Sequence, residues 1–140
     1  MTSVSSYRNL IGKQHLLGHA TIDSEHTALA QLWQRAVACE PHELPLHLLR
    51  MRRAMEKHFE HEDALMTELG GTLCRHHREE HKRMLALCSE AYALLERDLR
   101  KARSILRTAF PKMVRDHIKF MDQCTVLFLH TAQPAACAKA

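Results

Sequence analysis

The stretch HREEH, His77 to His81, places two histidines four residues apart. On a helix that spacing stacks both imidazoles on one face, about 6 Å apart along the axis, so both can reach one ion or one pair of ions. Read literally, it also fits H-x-x-E-H, the zinc pattern of inverted zinc proteases, with Glu80 in a chemical role. Histidine is abundant throughout, at twelve of 140 residues. So many histidines produce i,i+4 pairs by chance, and His15/His19 is another. The informative feature is the joint pattern on successive segments: His26, then His58 and Glu62, then His77 and His81, then His117 and Asp122.

Five imidazoles and two carboxylates exceed the three protein ligands of a catalytic zinc. Two octahedral ions offer twelve coordination positions: two bridging carboxylates fill four, a bridging oxygen fills two, and five imidazoles bring the total to eleven. One position stays open, a place for a small exogenous molecule. Imidazole suits Zn, Cu, Fe and Ni, so spacing alone leaves the metal undecided. His117 and Asp122 are five residues apart, about 140° around an ideal helix. A π-bulge between them would bring both onto one face, and such bulges favour functional sites.

These residues need helices to hold them. Asp23 is expected to cap a helix beginning at Ser24, with Leu29, Leu32, Trp33 and Ala36 at helical spacing. Pro41 closes it, and Pro45 suits the first turn of a second helix carrying Met55, Phe59 and Leu65. Gly70-Gly71 ends that helix, and Thr72 is expected to cap a third carrying Leu73, Met84, Leu87, Cys88 and Leu94. Residues 73–130 then form helix throughout, with Pro111 the one interruption and an expected kink. As one rod that stretch would be about 85 Å long, so it must fold back. Arms of equal length from the turn to a shared site put the reversal near Asp98–Lys101, and the same reasoning puts the earlier turns on Gly70-Gly71 and between Pro41 and Pro45. The expected fold is all-α, an up-down-up-down four-helix bundle with a buried metal site. Residues 1–20 form an N-terminal arm, 21–130 the four-helix domain and 131–140 a flexible tail.

Composition limits the alternatives. Hydrophobic residues make up 46% of the chain, with only four Gly and four Pro, which suits one helical domain with its own core. No apolar run approaches the roughly 20 residues of a membrane span, and the start lacks the apolar core of a signal peptide, so a cytoplasmic location and no membrane partner are expected. The five cysteines form no C-x-x-C and read as reduced, partly buried apolar residues. Basic clusters occur in RMRR (50–53) and RDLRKAR (97–103), but aromatics are only 5%, too few to stack bases, so no nucleic-acid partner is expected.

The segments TIDSEH (21–26), HFEHEDALM (58–66), HREEH (77–81) and HIKFMD (117–122) resemble, in order, the motifs of the hemerythrin family, bacterial hemerythrin-like proteins in particular. That resemblance spans about residues 18–130 and implies a four-helix bundle around a non-haem di-iron centre that binds O2 reversibly. It implies two Fe ions bridged by an oxo or hydroxo group and two carboxylates, with O2 as ligand. His77, His81 and His117 then correspond to the ligands of the saturated iron, and His26 and His58 to those of the iron with the vacancy. Glu62 and Asp122 correspond to the bridges. Leu29, Phe59, Met113, Val114 and Ile118 match the family's O2 pocket positions, with Met113 where an aromatic is common.

The expected function is therefore O2 storage, delivery, scavenging or sensing, without enzymatic activity; NO and small anions such as azide are further ligands of such a centre. A di-iron redox enzyme handling peroxide or NO is the alternative, but those favour carboxylate-rich sites. A signalling module with an unidentified protein partner is another, with residues 97–103 as a contact surface. A zinc hydrolase would need a substrate cleft and a further acidic ligand. Glu80, one residue from His81, is expected to be solvated. His61 and His76 point away from the site, and His15, His42, His47 and His130 are expected on the surface.

Overall fold

A computed structural model describes residues 10–132, and these are helical with no strand among them. The first nine residues of the arm, and the tail beyond Ala132 with Cys137, lie outside the described residues.

Helix α1, Ala20–Ala38, starts a full turn before the expected Ser24. Its cap is His19, whose Nδ1 accepts from the Ile22 N–H at 3.2 Å. Asp23, the expected cap, instead accepts from the N–H groups of Leu17 and Gly18 at 2.8 and 3.0 Å. It fastens the incoming chain, which turns at Gly18 with φ +83°. One face of α1 buries Ile22, His26, Trp33 and Ala36.

A 3-10 turn, Pro41–Glu43, leads into α2, Leu44–Glu68. Pro45 sits in its first turn, where a missing N–H costs nothing. Helix α2 ends as expected at Gly70, with φ +77°. There the Gly71 N–H bonds back to Met66 O at 2.8 Å. The turn packs tightly, since a Cβ on Gly71 would lie 2.8 Å from the Phe128 ring.

Helix α3, Arg75–Leu94, is capped by Cys74 rather than Thr72, its Sγ accepting from the His77 N–H at 3.4 Å. The chain then reverses over residues 95–98, slightly before the expected Asp98–Lys101. Asp98 ends that turn by accepting from the Lys101 N–H at 3.0 Å.

The last helical run comprises α4 (Leu99–Ser104), a π turn (Ile105–Ala109), α5 (Phe110–His117), a second π turn (Ile118–Asp122) and α6 (Gln123–Thr131). The chain stays helical through Pro111, because the π turn before it absorbs the missing donor. The Phe110 N–H bonds to Ile105 O; in that register the Leu106 carbonyl would look to residue 111, which has no N–H. Trp33 Nε1 donates to that carbonyl instead, at 2.7 Å, in the buried core.

Helix α1 packs on α2, α2 on α3, and α3 on α4 and α5, giving a helical bundle. Two apolar clusters fill it. The larger contains Trp33, Leu48, Met51, Met55, Phe59, Met84, Cys88 and Phe110; the smaller contains Ile22, Met66, Leu73, Val126 and Leu129. On each of the four rods the candidate ligands lie between a residue of one cluster and a residue of the other. The order of the clusters reverses from each rod to the next.

No described helix is long and apolar enough to cross a membrane. The four described cysteines are free thiols, but only Cys39 and Cys88 are withdrawn from solvent; Cys74 and Cys124 are exposed, against expectation. Burial pushes the Cys88 thiol up to about 12. His15 also departs from expectation, being buried with Nδ1 accepting from the Gly12 N–H at 2.9 Å.

Candidate metal centre

The second π turn adds one residue to a helical turn, and with it His117 and Asp122 fall on one face: His117 Nε2 lies 3.0 Å from Asp122 Oδ1. The i,i+4 spacing does the same for His77 with His81 on α3 and for His58 with Glu62 on α2. His26 joins from α1.

Two overlapping groups of donors result, each with its donor atoms within 4.8 Å of one another. One contains Glu62, His77, His81, His117 and Asp122; the other contains His26, His58, Glu62 and Asp122. Glu62 and Asp122 belong to both. All seven side chains are buried, Glu62 completely. The five Nε2 atoms converge on the carboxylates: His77 to Asp122 at 3.1 Å, His26 to Asp122 at 3.0 Å, His81 to Glu62 at 3.2 Å and His58 to Glu62 at 3.8 Å.

Charge is unevenly held here. Burial opposes ionisation of Asp122, but the adjacent imidazoles of His117, His26 and His77 outweigh it and hold the carboxyl well below its usual range. Glu62 goes the other way, pushed up by burial and then by the Asp122 charge. His77 overcomes its burial through Asp122 and Glu62 and rises to about 9. His81, buried beside His117 and His77, falls to about 3. His117 is raised despite burial, by Asp122 and Glu80.

Five buried atoms of the centre have no hydrogen-bond partner: both ring nitrogens of His26, Nε2 of His58 and both oxygens of Glu62. His26 Nε2 is close to Asp122 but not in hydrogen-bond geometry. Each such atom costs about 1–3 kcal/mol when unsatisfied. Imidazole nitrogens and carboxylate oxygens are metal donors, and two adjacent buried carboxylates invite cations between them. The donor set therefore fits a pair of transition-metal ions.

The supporting contacts revise the sequence reading. Glu80 is not free in solvent: it bonds His117 Nδ1 at 2.7 Å and lies 3.1 Å from His76 Nε2. Glu25, not singled out from sequence, bonds His58 Nδ1 at 2.8 Å and His61 Nδ1 at 2.7 Å. The two share a rule. Each directly precedes a candidate ligand, His26 or His81, and grips the outer nitrogen of a ligand on the next rod. A neighbour one residue away lies about 100° around the helix, facing the adjacent helix rather than the site. Thr125 Oγ1 stands 3.3 Å from His77 Nδ1. Fixing the outer nitrogen of an imidazole sets its tautomer and leaves the inner one free to bind.

A cavity of about 20 Å³ abuts His26, His58, His117 and Asp122. Leu29, Phe59, Val114 and Ile118 line it, together with Leu10, Met51, Met55, Met84 and Phe110, which sequence reasoning did not place there. Met113 does not line it; that side chain is half-buried against the larger cluster. Phe110 takes its place because seven residues before His117 is about 20° off its direction, whereas four residues is about 40° off. Leu10 is held over the cavity by Arg115 Nε, which donates to its carbonyl at 2.8 Å.

Comparison with known proteins agrees with this geometry. The family model described as Hemerythrin HHE cation binding domain matches residues 17–124. No curated protein and no solved structure matches the chain.

Proposed function

The chain belongs to the hemerythrin family, and from that membership we propose that it is an O2-binding protein with a non-haem di-iron centre inside an up-down-up-down four-helix bundle. His77, His81 and His117 would hold one iron, His26 and His58 the other, and Glu62 and Asp122 would be shared. When bound, the iron pair supplies reversible electron donation to O2. The alternating order of the two apolar clusters along successive rods supports the bundle topology.

The observation that carries this reading is the cavity of about 20 Å³ beside His26 and His58. A single water needs roughly 10–15 Å³ of such space, so the cavity suits a molecule of diatomic size. Its walls are apolar side chains, which keep water and protons from the bound gas. Leu10, Phe59 and Ile118 close it, all of them buried. NO and azide are small enough for the same space. Glu25 and Glu80 hold His58 and His117 in place, keeping Nε2 of each turned inward.

Anaerobic reduction of the iron-loaded protein, addition of O2 and visible spectra over repeated cycles test this. A charge-transfer band that forms with O2 and reverses under vacuum supports O2 binding. One-way oxidation with turnover of peroxide or NO would favour a redox enzyme, and zinc at one per chain with no colour would refute the proposal.

A further inference from the structure

Cys39, Glu43 and His47 come together away from the seven-residue centre, where the end of α1 meets the 3-10 turn and the first turn of α2. One donor atom from each lies within 4.8 Å of the others. Three features mark the cluster as unfinished. Nδ1 of His47 is sealed from solvent and has no hydrogen-bond partner, so this histidine is not the free surface residue expected from sequence. Cys39 is half-buried, its thiol donating only to Ala36 O at 3.3 Å. Glu43 accepts only a long 3.4 Å bond from the Glu40 N–H, so its carboxylate is available. Arg103 donates to the Cys39 carbonyl at 3.1 Å, which ties the segment to α4 and holds its shape.

The geometry points to a second metal site in this protein, taking one divalent cation of borderline softness such as Zn2+ through Cys39 Sγ, a Glu43 carboxylate oxygen and His47 Nδ1. A sulfur, an oxygen and an imidazole nitrogen are the donors such a cation accepts, and solvent completes four-coordination. Binding breaks the Cys39 S–H bond: the electron pair stays on sulfur and the proton leaves to solvent, so affinity rises with pH. Thiolate and carboxylate together neutralise the ion. The bound ion would join the last residues of α1 to the first turn of α2.

Co2+ is the probe, because thiolate-to-cobalt charge transfer absorbs in the near ultraviolet and the seven-residue centre contains no thiol. Titration of the full-length, iron-loaded protein should give that band at one Co2+ per chain, removable by Zn2+. The Cys39→Ser variant should lose it, and Glu43→Gln should weaken Co2+ binding by about ten-fold. Glu43 is exposed, so Glu43→Gln keeps the fold and decides the matter if Cys39→Ser does not fold. The His81→Ala variant, which alters only the other centre, should keep the band. Absence of the band, its survival in Cys39→Ser through the exposed Cys74 or Cys124, or an unchanged affinity in Glu43→Gln would each overturn the site.

Discussion

Phe59 lies flat on His81, ring centroids 3.8 Å apart and planes 7° from parallel. The same ring lines the cavity, so one side chain both walls that cavity and braces a candidate ligand on another helix. Phe59→Ala should lower unfolding stability by about 3–5 kcal/mol. Phe59→Leu should keep the fold but release metal faster to a chelator, because the flat face that braces the His81 ring is then gone. Denaturation curves and chelator kinetics on the two variants check this; equal release rates in Phe59→Leu and wild type would refute the bracing role.

Trp33→Phe removes the side-chain donor that reaches the Leu106 carbonyl in its π turn. The ring volume is nearly kept, but a buried acceptor loses its partner, so stability should fall by about 1–3 kcal/mol. Urea denaturation reads this directly. A cost near zero would mean that another donor reaches Leu106.

Glu25→Gln and Glu80→Gln each exchange a carboxylate for an amide beside an imidazole, at His58 and His117. Metal affinity should fall about 10–100-fold in each, the usual effect of losing such support. Metal content after dialysis against graded chelator measures it. The His61→Ala and His76→Ala variants, which remove only the exposed outer partners, should be much milder.

The metal-free protein should be most stable near neutral pH. His77 is raised to about 9 from 6.5, so its contribution is complete below 6.5 and is lost as pH climbs through 9. His81 is lowered to about 3, so stability drops as pH falls below 6.5, where only the unfolded chain takes up that proton. Asp122, held well below 3.8, adds a loss at still lower pH. Metal displaces the His77 proton, so the loaded protein should lose the alkaline decline and keep the acid one. Midpoints of chemical denaturation across pH, with and without metal, check both arms.

Much of the centre was legible because its geometry is written in spacing. Four-residue intervals announce shared faces, and the five-residue interval from His117 to Asp122 makes sense only with a π turn, which the structure contains. Contacts between helices were not legible. Glu25 and Glu80 act across the bundle, and in sequence a carboxylate beside a ligand looks the same as a solvated one. The helix starts were misjudged because His19 and Cys74 do the capping that Asp23 and Thr72 suggest. Met51, Met55 and Met84 in the cavity wall carried no signal, since an unbranched side chain fits many core sites. Pro111 suggested a kink because the compensating donor, Trp33, lies on another helix.

The second π turn has a consequence for how this segment tolerates change. Between His117 and Asp122 the constrained quantity is the shared face, which five residues in a π turn and four in an α turn both satisfy. Lys119 and Phe120 are exposed and Met121 is half-buried, so substitutions there leave the inward face untouched. Deleting any one of the three would remove the added residue and return the stretch to α register, with four residues from His117 to the carboxylate, so the inward face is kept. The carboxylate of Asp122 would still face the centre, and Val126 and Leu129 would still face the smaller apolar cluster. A single lost codon would thus be absorbed by the turn, where a single gained codon would swing everything downstream by about 100°.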